Sequence, residues 1–329
     1  MTRVREASIR RTVDFERMRH DPLGFPIPPE FDVPDAGDTG RPSARPAGRG
    51  AAPARGKRLV VLGLLAAVLG PGIGVPVVLP VVREVVVRWS IARAYDSEAR
   101  GRPTAAVGEV GRALAWSGGD AALAADLLCW RAMLRLDARD APGAATDAAR
   151  AIELAPTAAR PLRVRALVNV VRGRPDEALR DAETAVTLAH DDDPEALNHR
   201  AYIRALVRRD LPAALADVET ALAGDDAPAP EVLDTRGFLL HLVGRHHEAI
   251  DELNLAIAGA EAERRDALAK VHEDNRVEIA RALRALDRGL AVMHHHRGLA
   301  CRAAGLDNQA EQDLAIAERK GYDPSRGVM

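Results

Sequence analysis

Aromatic residues make up only 3% of this 329-residue chain, with 3 Trp, 3 Tyr and 4 Phe. A thick globular core built on large rings is thereby excluded, and Ala, Leu and Val must supply most of the buried surface. No alternating β pattern of useful length occurs, so essentially no sheet is expected. There are 2 cysteines, Cys129 and Cys301, which read as small buried apolar residues rather than a disulfide or a reactive thiol. GxGxxG, Walker A, GxSxG and CxxC motifs are all missing, and nothing assembles a nucleophile, a base and an orienting group. The chain therefore reads as a non-enzyme without a cofactor. His294-His295-His296 and His246-His247 invite a metal reading. Consecutive helical residues point about 100° apart and cannot converge on one ion, so these read as ordinary helix positions. Strong basicity is lacking too: the net charge is −2. Residues 1–58 carry 12 Lys+Arg against 8 Asp+Glu, and residues 89–329 carry 32 against 39. An acidic C-terminal region excludes nucleic acid as a partner.

What the chain does contain is a spacing. A small residue is followed after twelve positions by Ala, and after seven more by Ala again. The six triplets are Ala94/Ala106/Ala113, Ala132/Ala144/Ala151, Ala166/Ala178/Ala185, Ala201/Ala214/Ala221, Gly237/Ala249/Ala256 and Gly298/Ala310/Ala317. The first gap is thirteen in the fourth unit only. From one middle Ala to the next the steps are 38, 34, 36, 35 and 61. A period near 34 accommodates two helices of three to four turns and two short loops. Seven residues are two turns, so the last two Ala of each triplet share a face and let backbones approach closely. Turn residues fall between the helices, as in Gly173-Arg174-Pro175-Asp176, Gly244-Arg245 and Gly305-Leu306-Asp307.

This register resembles the tetratricopeptide repeat, over roughly Val87 to Pro324. RGFLLHLVGRHHEAIDELNLAI around Gly237 and RGLACRAAGLDNQAEQDLAIA around Gly298 match it best. The helix-A tyrosine of that family is replaced by Ser97, Arg135, Asn169, a residue near Arg204, Leu240 and Cys301, and the closing proline survives only as Pro156. The resemblance implies an all-α, right-handed α-solenoid of about six helix–turn–helix units over residues 83–324. Its concave groove would bind a peptide or helix of another protein. The family layout places Met133, Arg163, Leu167, Asn198, Tyr202, Asp234, Phe238, His241, His295 and Arg302 on that groove. Some family members grip a C-terminal carboxylate with a Lys/Asn clamp. Cys129, Met133, Arg163 and Leu167 stand in those places here, so no such clamp is implied.

Three further segments complete the reading. Residues 1–57 are rich in Pro, Gly, Ala and Arg and are expected to be disordered. Leu59–Val82 is free of charged and polar side chains, and about 20 such residues cross a bilayer, so a transmembrane helix is expected over 58–82. Six basic residues precede it without an acid and five follow, which favours a single-pass inner-membrane protein with a cytoplasmic N-terminus. Gly70 and Gly74 form a small-xxx-small pair consistent with homodimerisation. The 61-residue step implies lengthened helices, an extended hairpin around 260–291 that turns near His272–Asn275 and projects. Ile279, Leu283, Leu286, Leu290 and Met293 form its apolar stripe. A self-assembling membrane component using the span and the 261–290 hairpin is the alternative function. Residues 325–329 are a short tail.

Overall fold

The computed structural model describes residues 78–190, 193–223, 228–272 and 276–323. The 1–57 tail, the apolar stretch up to residue 77 and the 325–329 tail lie outside them. Twelve helices and no strand occur among the described residues. They pair as six hairpins: α1 (78–99) with α2 (Pro103–Ala115), α3 (Ala121–Asp137) with α4 (Ala141–Leu154), and α5 (Ala159–Val171) with α6 (Pro175–Ala189). Then come α7 (Pro194–Val207) with α8 (Leu211–Leu222), α9 (Pro230–Leu242) with α10 (His246–Ala269), and α11 (Arg276–Ala303) with α12 (Asp307–Arg319). α1 packs on α2 through Ala94 and Tyr95 with Ala106 and Val110, each later helix packs on the next, and α3, α5, α7, α9 and α11 also pack in succession. This is an all-α repeat solenoid with six units, as the spacing implies.

The triplets are what hold the pairs together. All eighteen small residues are buried, most of them completely. At Gly237 the reason is measurable: a Cβ there would lie 2.6 Å from Leu253 Cγ and 3.2 Å from the Ala249 carbonyl oxygen. At Gly298 the same clash would involve Leu314 Cγ at 2.8 Å and the Ala310 carbonyl at 3.3 Å. The helix-A small residue thus sits against the backbone of the middle Ala. In such dense packing extra methylenes force side chains off their rotamers.

A second regularity lies in the turns. Seven positions after each helix-A small residue the backbone is left-handed, at Gly101, Arg139, Gly173, Arg208, Gly244 and Gly305, with φ between 53° and 85°. Glycine adopts this region freely, whereas an L side chain there costs roughly 1–2 kcal/mol. The extra residue of the fourth unit is absorbed by a second left-handed position, Asp210 at φ 50°. Arg208→Gly is therefore expected to raise the unfolding free energy by about 1 kcal/mol, measured by urea denaturation. Helix starts follow ordinary chemistry. Asp120, Asp140 and Asp193 cap α3, α4 and α7 by accepting from Leu123, Gly143 and Ala196 backbone N–H groups.

Each unit also carries a charged staple. The residue before the helix-A small residue is Arg, and the residue three after the middle Ala is Asp or Glu. The pairs are Arg93–Glu109, Arg131–Asp147, Arg165–Asp181, Arg200–Asp217, Arg236–Glu252 and Arg297–Asp313. In four of them Nε and Nη2 grip both carboxylate oxygens at 2.6–2.8 Å. Such forks fix the register of the two helices as well as adding energy.

The predicted projecting hairpin is the main correction. The surplus residues do lengthen α10, which ends at Ala269, and α11, which begins at Arg276. The hairpin does not project: the first half of α11 folds back across the concave side onto the first unit. Arg281, Arg284 and Arg288, one face of α11, reach α1 and α3. Arg284 Nε donates to the Ala99 carbonyl at 3.0 Å, and Arg288 Nη1 donates to Asp137 at 2.8 Å. On the opposite side Leu286, Leu290 and Met293 are buried, Leu290 and Met293 against Leu233, Ile257 and Ala260. Opposed charged and apolar faces explain why α11 inserts between the two ends of the array rather than standing in solvent.

No helix among the described residues is long and apolar enough to cross a membrane. Residues 59–77 of the expected span lie outside them. Residues 78–82 belong to α1, which runs on to residue 99 as one helix, with Leu79, Val81 and Val85 exposed.

Candidate functional site

Helices α3, α5, α7 and α9 present one wall, and α11 covers them. Between the two lies a cavity of about 310 Å³. Six of the ten groove residues expected from sequence line it: Met133, Arg163, Leu167, Asn198, Tyr202 and Asp234. Their positions repeat from one helix A to the next, which brings them onto one surface. Leu136, Val164, Leu286, Val292 and Met293 make the rest largely apolar.

The other four residues do not line the cavity. Phe238 is stacked on His296 with ring centroids 4.0 Å apart, so it packs within the array rather than anchoring a partner. His295 is stacked on Tyr322 at 4.1 Å, and His241 lies 5.1 Å from His246. Burial pushes His241 and His295 down to about 4. Arg302 is exposed. This end of the concave side is filled by the protein's own residues just after α12. Asp323 also pairs with Arg139 at 2.5 Å.

The charges of the cavity wall are mostly spoken for. Arg163 pairs with Glu195 at 2.7 Å, and Arg160 with Asp126 at 2.6 Å. Asp234 holds His296 at 2.9 Å. His294, two residues earlier, meets a different carboxylate, Asp313, at 2.9 Å. These buried imidazoles thus brace helix pairs. Among the described residues no group of three metal-binding side chains converges. Two uncharged polar groups differ. Asn198 Oδ1 and both ring nitrogens of His199 are buried without a well-formed hydrogen bond. Burial, then the Arg163 charge, pushes His199 down to about 3 against the weaker upward pull of the Arg163 backbone, so the ring is neutral. Burial likewise raises the Tyr202 hydroxyl and the Glu231 carboxyl above their ordinary values. Cys129, behind this wall, has its thiol pushed up to about 12 by burial and is unreactive.

Sequence reasoning missed the closure at the far end of the cavity. Glu98 Oε2 accepts from Arg281 Nε at 3.2 Å and from Trp130 Nε1 at 3.2 Å, and Oε1 accepts from Arg288 at 3.3 Å. The Arg281 guanidinium lies over the Tyr95 ring at 4.2 Å and near the Trp130 ring at 5.5 Å. Tyr95 and Trp130 pack together at 4.6 Å. An aromatic and acidic cage on the first units therefore holds one arginine of α11. Two of the chain's few aromatics standing one helix apart were the available signal.

No protein-family model matches the chain, and no curated protein matches it. Among solved structures it is similar to a tetratricopeptide repeat protein from Parabacteroides merdae, at 17% identity and a TM-score of 0.42, over 72% of this chain and 94% of that one. A thermophilic TPR protein of Thermus thermophilus aligns at 22% identity and 0.44, over 61% and 98%. YrrB, a TPR protein with an unusual peptide-binding site, aligns at 16% and 0.32, over 61% and 88%. These overlaps in shape are partial, and the repeat architecture of this chain rests on the helix register above.

Proposed function

We propose that the protein is a membrane-anchored interaction scaffold whose groove receives a peptide or helix of a partner protein. The observation that carries this reading is the concave wall itself. The first half of α11 already lies over it, packed on α9 and tied to α3 by Arg288, with the cavity between it and six side chains that four successive units align. A partner segment of similar amphipathic character fits the same wall once α11 swings out. The apolar stretch Leu59–Val82 runs directly into α1 and would seat the array at the inner membrane, N-terminus in the cytoplasm. Self-assembly through the 261–290 hairpin loses its motivation, because most of the stripe meant to drive it is covered within the chain.

The test uses the full chain in membranes, with a photo-crosslinking residue in place of Leu167 and, separately, of exposed Arg302. Crosslinks to one protein from Leu167 that increase when Glu98→Gln loosens α11 support the reading. Crosslinks from Arg302 only, or none that respond to Glu98→Gln, contradict it. Reporters fused at Met1 and Met329 check the span and its orientation independently.

A further inference from the structure

We infer that the cavity beneath α11 is a binding site for an uncharged small molecule, an apolar body carrying one amide or hydroxyl group. The inference stands whether or not a partner segment enters the groove. About 310 Å³ is the lower end of the range for ligand sites and roughly ten waters' worth of space. A wall of Met133, Leu167, Leu286 and Met293 does not hold that many waters well.

The polar groups define the head of the ligand. The charged groups Arg160, Arg163, Arg288 and Asp234 are already paired, so an ionic ligand would gain little counter-charge from them. Burial shifts Glu231 toward its neutral acid. Of the uncharged polar groups, what is left is the neutral imidazole of His199, one nitrogen a donor and the other an acceptor, and the amide oxygen of Asn198. Buried polar atoms without partners are uncommon in folded proteins and are satisfied by whatever occupies the space beside them. A primary amide or a hydroxyl both donates and accepts, and so matches either residue. Asn198 and His199 are adjacent on α7 and both line the cavity.

Gly289 supplies the decisive control. It lines the cavity from α11, and a Cβ added there meets nothing within 4 Å. A leucine at this position can grow into the cavity without disturbing the helix pairs.

The experiment titrates the full-length protein with 3-phenylpropanamide, 3-phenylpropanoate and 3-phenylpropylamine, read by saturation-transfer NMR and by thermal shift. The amide is expected to bind and to raise the melting temperature. The acid and the amine should bind about tenfold more weakly or not at all, the worth of one or two net hydrogen bonds. Gly289→Leu should abolish amide binding while keeping the helical circular-dichroism spectrum and an unchanged or higher melting temperature. The double variant Asn198→Leu/His199→Leu should lose the preference for the amide. Failure of the amide to bind, equal binding of all three probes, or full binding to Gly289→Leu overturns the proposal. None of these outcomes bears on partner crosslinking from Leu167.

Discussion

Glu98→Ala is expected to lower the unfolding free energy by about 3–5 kcal/mol, the usual cost of removing one partner from a buried ion pair. Glu98 is 7% exposed and Arg281 is equally buried. Without the carboxylate, Arg281 keeps its place over Tyr95 but loses the Glu98 counter-charge, and the Trp130 indole N–H loses its bond to Glu98. The cheapest escape is for α11 to lift away, which exposes the guanidinium to water. Hydrogen exchange should therefore separate two effects. Amides in the first half of α11 should exchange much faster, while those of α5 to α8 keep most of their protection. Glu98→Gln retains an acceptor for Trp130 and should fall between the two. Uniform loss of protection across the array would mean that Glu98 supports the whole fold rather than the closure.

The second large effect is expected at the last staple. Asp313 is 1% exposed and receives Arg297 through two hydrogen bonds and His294 through a third. Asp313→Ala leaves both partners facing an uncompensated site and should also cost about 3–5 kcal/mol. The pH dependence gives the role a signature. Burial tends to raise the Asp313 carboxyl, but the His294 and Arg297 hydrogen bonds outweigh it and hold the group below 3.8. A carboxylate depressed in the folded state stabilises above its unfolded value and loses that contribution as the pH falls through its folded value. The stability gap between the natural protein and Asp313→Asn should thus be full above about pH 5 and shrink as the pH drops below about 4. A gap that stays constant from pH 6 to pH 3 would assign the loss to packing instead.

The repeat was legible because small residues report where two backbones touch, and the Ala and Gly triplets did so in every unit. The staples were equally regular, Arg and acid sixteen residues apart, seventeen in the fourth unit. They went unread because charged residues make up 29% of the chain and such pairs look like solvated faces. The fold-back of α11 was not legible at all. Arg281, Arg284 and Arg288 recur at helical spacing and read as an exposed stripe. Their partners Glu98, Ala99 and Asp137 lie 151 to 190 residues away, beyond any local pattern. Six of the groove residues, on α3, α5, α7 and α9, line one cavity because each helix A repeats its neighbour. Phe238, His241, His295 and Arg302 lie off that cavity: Phe238 stacks on His296, His295 on Tyr322, His241 lies beside His246, and Arg302 is exposed.

The account depends most on α11 closing the array, and a distance measures this directly. Cysteines placed at Ala99 and Arg284, where the Arg284 Nε meets the Ala99 carbonyl at 3.0 Å, can be bridged by a short bis-maleimide. The two native thiols are buried and interfere little. Rapid intramolecular crosslinking in the native full-length protein, slowed by Glu98→Ala and absent in urea, is the result expected. A native protein that folds, binds the reagent at both sites and forms no bridge would place α11 away from the first unit, and the closed array would have to be given up.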